Sequence, residues 1–155
     1  MNIYFLDAKT ELCAQYHYDK HVVKMTTEYV QLLSNAVIVR GGKSTYKLSH
    51  HSHPCSKWVY ASKANWLWLR SLVYWLNEEK KFRWGTGDHK SFLVLQELVE
   101  PELPNIAITM PPLCMPVKLW SKNPIEAYRN YYTSEKYHLR GYTKREFPEW
   151  MKTNE

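Results

Sequence analysis

Apolar side chains recur at helical spacing through the first forty residues, and this pattern most constrains how the chain can fold. At about 100° per residue they share one face, formed by Leu12, Tyr16, Val23, Thr26, Val30, Leu33 and Val37. No alternating run is long enough to build a sheet. The sequence therefore predicts an all-α protein whose first long helix runs from about Thr10 to about Val39 and ends at the RGG sequence at 40–42.

A second long helical pattern follows a polar loop. Pro54 suits the first position of this helix, with Ser52 or His53 capping its N-terminus. The pattern continues to Gly85, with an interruption near Ser62. We therefore expect one helix, or two in succession, over this stretch.

Shorter helices are predicted in the second half of the chain. Asp88 caps one and Asn123 caps another, while a capping box at Thr143 opens a short terminal helix that includes Trp150. The segment 101–116 has five prolines in sixteen residues, so we expect an ordered, non-helical wrap there. Residues 1–155 should form a single helical domain, a compact bundle of four to five helices with a long proline-rich connection.

Charge and composition favour an anionic partner and a reducing compartment. The formal charge is +6, and the aromatic share of 15% exceeds what a core of this size easily hides. Exposed rings can stack on bases, so DNA is an expected partner, although a basic protein without a nucleic-acid role fits the charge equally well. The odd count of three cysteines points to free thiols. Without a signal peptide or an apolar run of about 18 residues, we expect no membrane contact and a cytoplasmic location, in the host cell for a viral protein.

The polar face of the first helix is the main candidate for chemistry. It aligns a thiol, two imidazoles, an amine and a carboxylate, namely Cys13, His17, His21, Lys24 and Glu28. A carboxylate beside an amine or an imidazole on a rigid helix is a normal way to build acid/base chemistry. The alternative is a solvated face with an ordinary Lys24–Glu28 pair at i, i+4 spacing.

Two other features of this helix have structural or metal-binding interpretations. Asp19 falls within the apolar stripe, so it is either paired with a basic residue elsewhere or marks a helix that starts later. The ladder Cys13–His17–His21 has residue types that bind zinc, but its spacing matches no strong zinc signature. We therefore expect no metal and no cofactor, with this ladder as the alternative.

Basic and aromatic residues interleave near the end of the chain. Basic side chains that contact phosphates, next to aromatic rings that stack on unpaired bases, are typical of nucleic-acid binding. The alternative is that the tyrosines are buried in the core and the basic residues are simply solvated. The set comprises Arg129, Lys136, Arg140, Lys144 and Arg145 with Tyr128, Tyr131, Tyr132, Tyr137, Tyr142 and Trp150.

Four strings in the chain resemble a group of small phage and large-virus proteins often labelled pyrimidine-dimer DNA glycosylases. They are D-K-H-V-V-K-M-x-x-E-x-x-Q-L-L at 19–33, HPCSKWV at 53–59, and AYRNYY with TKREFPEW at 127–132 and 143–150. The Asp, the His two residues later and the Glu nine residues after the Asp also resemble the first-helix segment of phage endonuclease V, a pyrimidine-dimer glycosylase and AP lyase.

The resemblance implies roles for the residues that match. Glu28 would be the catalytic carboxylate and His21 a neighbour of the sugar. In that family the N-terminal amine attacks C1′ of the sugar; because Asn2 follows Met1 here, the amine would be that of Met1. Lys24, one turn from Glu28, is a rival nucleophile.

The predicted function is that of a DNA glycosylase and AP lyase acting on damaged or modified pyrimidines. One alternative is a glycosidic-bond enzyme acting on a nucleotide or another small anionic substrate. The other is a non-catalytic viral protein that binds nucleic acid or a host protein. The residues expected to contact substrate are His17, His53, Asn65, Arg129, Tyr132, Lys136 and Arg140.

Overall fold

A computed structural model describes residues 1–152 of the protein and confirms the all-α prediction. Over that range the chain contains no β-strand. Its α-helices are α1 (Thr10–Tyr16), α2 (Asp19–Val39), α3 (Pro54–Ala61), α4 (Lys63–Trp84), α5 (Lys90–Glu97), α6 (Pro124–Thr133) and α7 (Glu149–Lys152). Single 3-10 turns occur at Val117–Leu119 and Tyr137–Leu139. There are more helices than the expected four to five, because the predicted helices over 10–39 and 54–85 are each divided into two. The last helices are also short.

The helices α2 and α4 form the centre of the bundle. The helix α4 packs against α1 and α2, while α2 also packs against α3 and α5. Aliphatic side chains such as Leu33 and Leu69 are completely buried between them. Trp66 is also buried, and its indole N–H donates to the carbonyl of Leu33 at 3.2 Å. None of the helices within residues 1–152 combines the length and apolar character that a bilayer crossing requires.

The predicted helix over 10–39 is divided at His17 and Tyr18, whose backbones are extended. The cause is a buried arginine on α4. The guanidinium of Arg83 donates to the carbonyl oxygens of Gln15 and His17 at 3.0 and 2.9 Å. In addition, the backbone N–H of Tyr18 donates to the hydroxyl of Tyr132 at 3.2 Å. These long-range partners replace the helical hydrogen bonds at this point, so the prediction of one continuous helix is wrong.

The interruption also changes which side chains of α2 face the core. Val23 is 43% exposed, although the continuous pattern placed it on the apolar face. His21 and Val22 are buried instead, together with Met25 and Tyr29. The polar stripe predicted from Cys13 to Glu28 is therefore not one continuous face.

Asp19 is the first residue of α2 and is paired with Arg83. Pairing with a basic residue elsewhere was one of the two alternatives that the sequence left open. Its Oδ1 lies 3.0 Å from Nη1 of Arg83. Its carboxylate also accepts hydrogen bonds from the backbone N–H and the hydroxyl of Thr143. Thr143 therefore holds α2 and does not cap the terminal helix, which begins later, at Glu149.

Local capping signals gave most of the other helix ends correctly. His53 caps α3, since its Nδ1 accepts from the N–H of Cys55 at 3.0 Å. Asn123 caps α6 as expected. The prediction for α5 was one residue early, because His89 caps it while Asp88 accepts a hydrogen bond from Asn77.

The proline-rich connection is extended, as predicted, and is tied to α3 and α4 by Asn65. The Asn65 amide donates to the carbonyl of Trp58 and to the hydroxyl of Thr109, both at 2.8 Å. Its oxygen accepts from the N–H of Thr109 at 3.0 Å. Because Asn65 is completely buried and these bonds occupy its amide, it does not lie where a substrate could contact it, contrary to our expectation.

Ser62 connects two helices and offers a test of this arrangement. Its hydroxyl caps α4 and also donates to the carbonyl of Ile106 at 2.9 Å. We expect Ser62→Ala to lower the free energy of unfolding by about 1–2 kcal/mol, because a cap and a buried hydrogen bond are lost together. Ser52→Ala, at an exposed serine close to the start of α3, is the matched control, and urea unfolding measures both. Equal effects of the two substitutions would contradict the assignment.

Candidate active site

His21 is buried at one edge of the candidate site and is held in a defined orientation. Its Nδ1 lies 2.6 Å from the hydroxyl oxygen of Tyr132, and its ring stacks on Tyr4 with centroids 4.5 Å apart. The Tyr132 hydroxyl also accepts from the N–H of Tyr18, and His21 Nδ1 is the acceptor at 2.6 Å to which it can donate its own proton. This assigns the proton of the neutral imidazole to Nε2. No other residue of the described range bonds to His21 Nε2, so that N–H is available as a donor.

The pKa of His21 is lowered to about 4, first by burial and then by the charges of Lys136 and Lys24. His21 is therefore neutral at physiological pH. It can position a group through its Nε2 proton, but it is not a strong general base. Tyr132 is completely buried, so it can position His21 but is not placed to contact a substrate. This differs from our expectation that Tyr132 would contact substrate.

His17 lies inside the protein, not in a cleft. Its Nδ1 donates to the carbonyl of Cys13 at 2.7 Å, and its Nε2 accepts from the hydroxyl of Tyr29 at 2.9 Å. Both nitrogens are thus occupied and the side chain is completely buried. The thiol of Cys13 donates to the carbonyl of Tyr4, so the Cys13–His17–His21 ladder is engaged in hydrogen bonds and is not arranged to bind a metal.

These two buried histidines predict a pH-dependent stability. Burial lowers the pKa of His17 to about 3 and that of His21 to about 4, from an ordinary 6.5. Below pH 6.5 the unfolded chain binds protons that the folded protein excludes, so stability falls as the pH drops from 6.5 towards 4. At pH 5 the loss should be roughly 2 kcal/mol for each histidine relative to pH 7.5.

Urea unfolding at the two pH values measures this loss. Imidazole NMR provides a check that needs no substitution, because the signals of His17 and His21 should remain those of neutral rings down to pH 5. The replacement His138→Gln, at an exposed histidine, should leave the pH dependence unchanged. Titration of both buried rings near pH 6.5 would contradict the assignment.

Glu28 is a half-buried carboxylate that has no hydrogen bond or ion pair with any residue in 1–152. The Lys24–Glu28 pair of the alternative interpretation does not form, although similar pairs form on α4 between Arg83 and Glu79 and between Lys81 and Glu78. A carboxylate left without a partner in a partly desolvated place is unfavourable for folding. Because neither of its oxygens has a partner within residues 1–152, the Glu28 carboxylate is open to contact with a bound group.

Tyr4 connects Glu28 to His21. It is buried, it stacks on His21, and its pKa is raised by burial first and also by the charges of Tyr131 and Glu28. The ring of Tyr131 lies 6.2 Å from that of Tyr4 and is half-exposed. The ammonium group of Lys136 lies 5.4 Å from the centroid of Tyr131. Three chain segments thus bring a carboxylate, an imidazole, two rings and a lysine together.

Lys24 is exposed on α2, one turn before Glu28, and acts electrostatically on His21. Of the residues predicted to be catalytic, Glu28, His21 and Lys24 therefore lie close together. We refer below to Tyr4, His21, Lys24, Glu28, Tyr131 and Lys136 as the Glu28 cluster.

The amino group of Met1 belongs to a neighbouring group of residues. Its charge acts on His53, Cys55 and Cys114. Asn2 lies between this group and the Glu28 cluster, because it acts on Tyr4 and its Oδ1 lies 3.4 Å from the hydroxyl oxygen of Tyr128. Within residues 1–152, no hydrogen bond or ion pair joins the Met1 amine to Glu28. His53 remains half-buried, with Nδ1 used as the helix cap.

Of the two arginines predicted to bind phosphate, Arg129 is engaged within the protein and Arg140 is exposed. Arg129 donates to the carbonyl of Leu6 at 2.9 Å and pairs with Asp7 at 3.1 Å, so it secures the N-terminal segment. Arg140 is exposed and lies over the ring of Tyr137 at 4.1 Å. Only Arg140 of these two is placed to meet a phosphate on the surface.

Several surface hollows lie away from the Glu28 cluster. One of about 470 Å³ lies between α4 and α5 and is lined by residues that include Arg70, Tyr74 and Phe92. Another, of about 440 Å³, lies along the proline-rich connection beside Trp68 and Met110. Neither hollow includes a predicted catalytic residue.

Sequence reasoning missed Tyr4 and Tyr131 as parts of the cluster. Tyr4 lies in the short apolar opening segment, and Tyr131 is one of three tyrosines in α6. No spacing along the chain could join them to α2. The alternation of tyrosine and basic residues around α6 was the available sequence signal. It indicated the helix that carries Tyr131, but it did not distinguish Tyr131 from the other tyrosines of that helix.

Comparisons of the chain with protein-family models, curated proteins and solved structures find no match.

Proposed function

We propose that this protein is a DNA glycosylase with lyase activity that acts on a damaged or modified pyrimidine. The observation that carries the proposal is the unpartnered, half-buried carboxylate of Glu28, one turn from the exposed amine of Lys24. Cleavage of a glycosidic bond develops positive charge on the sugar, and a nearby carboxylate stabilises that charge. The resemblance of Asp19, His21 and Glu28 to the first-helix segment of phage endonuclease V implies the same role for Glu28.

The surroundings of Glu28 suit a nucleotide. The ring of Tyr131 is partly exposed beside Lys136 and can contact an extruded base. The charges of Lys136 and Lys24 both act on the buried His21 ring, and these two side chains supply positive charge for phosphates. The Nε2 proton of His21 provides a fixed donor for a sugar or base oxygen. Enzymes that act on a base in a duplex must extrude a nucleotide, at a cost of a few kcal/mol, and exposed rings help to offset that cost.

The reaction requires an amine as nucleophile. Its nitrogen forms a bond to C1′ as the bond between C1′ and the base nitrogen breaks, and the base leaves with the electron pair and takes up a proton. The amine nitrogen then loses a proton and the sugar ring opens, which gives an imine. Loss of a proton from C2′ followed by departure of the 3′ phosphate cleaves the strand. Glu28 is the group placed to stabilise the sugar cation and to move these protons.

Lys24 is favoured as the nucleophile over the Met1 amine. It lies on the same helix as Glu28 at one-turn spacing, whereas the Met1 amine acts on His53 and the neighbouring cysteines. A borohydride experiment distinguishes the two. The protein is incubated with a duplex that contains one pyrimidine dimer, reduced with borohydride and digested, and the modified peptide is identified by mass spectrometry.

The proposal expects a covalent complex with the damaged duplex and none with the matched undamaged duplex. A crosslink at Lys24 or at Met1 identifies the amine. Hydrolysis of free nucleotides without any reaction on damaged duplexes would replace the proposal with a small-substrate enzyme. Binding that weakens steeply with salt, without any adduct or strand cleavage, would leave a non-catalytic binder.

A further inference from the structure

Two cysteines from distant parts of the chain lie side by side. The Sγ atoms of Cys55, on α3, and Cys114, on the proline-rich connection, are 3.9 Å apart, and both thiols are free. Cys55 is completely buried, while Cys114 is half-buried and reaches the surface. A small solute can therefore approach Cys114 first.

The backbone on both sides of this pair is anchored. The N–H of Cys55 donates to His53 at the start of α3. The N–H of Cys114 donates to the hydroxyl of Tyr128 at 3.5 Å, and that hydroxyl donates in turn to the carbonyl of Pro112. The two sulfurs are thus held together by the fold.

The two thiols have different electrostatic environments. The hydrogen bond from the Cys55 thiol lowers the pKa of Cys114 to about 7. The same interaction, together with burial, raises the pKa of Cys55. Near neutral pH, a large fraction of Cys114 is therefore thiolate beside a protonated Cys55. The third cysteine differs, because Cys13 is completely buried, its thiol donates to the carbonyl of Tyr4, and burial raises its pKa to about 12.

We propose that Cys55 and Cys114 form a peroxide-reactive dithiol, in which Cys114 is attacked by the oxidant and Cys55 resolves it. An exposed thiolate next to a second thiol is the arrangement that redox-sensing sites use. The Cys114 thiolate attacks one oxygen of hydrogen peroxide, the O–O bond breaks, and hydroxide leaves and becomes water, so that Cys114 becomes a sulfenic acid. The Cys55 sulfur then attacks the Cys114 sulfur, the S–O bond breaks, and the oxygen leaves as a second water. The product is a Cys55–Cys114 disulfide.

The test is made on the full chain in its reduced form. After treatment with a small excess of hydrogen peroxide at pH 7, the protein is denatured and its thiols are counted with a maleimide. We expect the number of free thiols to fall from three to one, and a non-reduced digest to contain a peptide pair joined through Cys55 and Cys114. Dithiothreitol should restore all three thiols.

Two variants separate the roles. In Cys55→Ser, Cys114 should stop at the sulfenic acid and react with dimedone, whereas in Cys114→Ser neither remaining thiol should be lost. The matched control Cys13→Ala should still form the disulfide. Retention of three thiols by the wild-type protein in excess peroxide would overturn the proposal. Loss of Cys55 at an unchanged rate in Cys114→Ser would overturn the assigned order of attack.

Discussion

Glu28→Gln should reduce strand cleavage at a pyrimidine lesion by about 10²–10⁴-fold, because in the proposed mechanism this carboxylate stabilises the sugar cation and moves its protons. The amide keeps nearly the same shape, so binding to the duplex should change little. Single-turnover cleavage and borohydride trapping measure the loss, and a filter or anisotropy assay measures binding.

The same substitution should not weaken the fold. Glu28 has no hydrogen-bonded or ionic partner within residues 1–152, so its neutralisation removes no stabilising contact. We expect the free energy of unfolding of Glu28→Gln to equal or exceed that of the wild type, as happens when a strained functional group is replaced. Glu11→Gln, at an exposed glutamate of α1, is the matched control and should retain both activity and stability. If Glu28→Gln cleaved at the wild-type rate, another group would have to provide the chemistry.

Arg83→Ala should destabilise the protein by roughly 3–5 kcal/mol, which is the cost of removing one partner from a buried ion pair. The guanidinium is completely buried and lies 2.8 Å from the Glu79 carboxylate and 3.0 Å from that of Asp19. It also donates to the carbonyls of Gln15 and His17, so its loss leaves several buried polar groups without a partner. Urea or thermal unfolding measures the effect.

Two further variants of α4 make this result interpretable. Arg83→Lys keeps the charge but cannot reproduce the fork of donors, so an intermediate loss is expected. Arg70→Ala, at an exposed arginine on the same helix, should change stability by less than about 0.5 kcal/mol. Similar losses for Arg70→Ala and Arg83→Ala would show that the network around Arg83 contributes little.

The helix ends that could be predicted are those decided by neighbouring residues. Ser62 and Asn123 cap their helices with side chains that reach two or three residues ahead, and Gly85 ends α4 with a φ of 63° that glycine adopts easily. The division at His17 could not be predicted in this way, because Arg83 lies 66 residues further along the chain. The unusual position of Asp19 in an apolar stripe was the one local sign of that contact.

The candidate site was predictable to a similar extent. Glu28 and Lys24 share α2, so helical spacing was sufficient to place them together. His17 and His21 appeared equivalent on the same stripe. The break between α1 and α2 leaves His17 inside the core and His21 at the candidate site. Asn65 appeared polar and available, yet its partners lie on a proline-rich segment whose path no local pattern determines.

Residues near the start of the chain pack against residues that are synthesised much later. The N–H of Asp19 donates to the carbonyl of Gly141, the hydroxyl of Tyr142 donates to the carbonyl of Tyr16, and Tyr18 stacks on Tyr132. These partners are separated by 114 or more residues, which a ribosome takes roughly 6–25 s to translate. The junction between α1 and α2 therefore cannot complete its packing until synthesis passes residue 142.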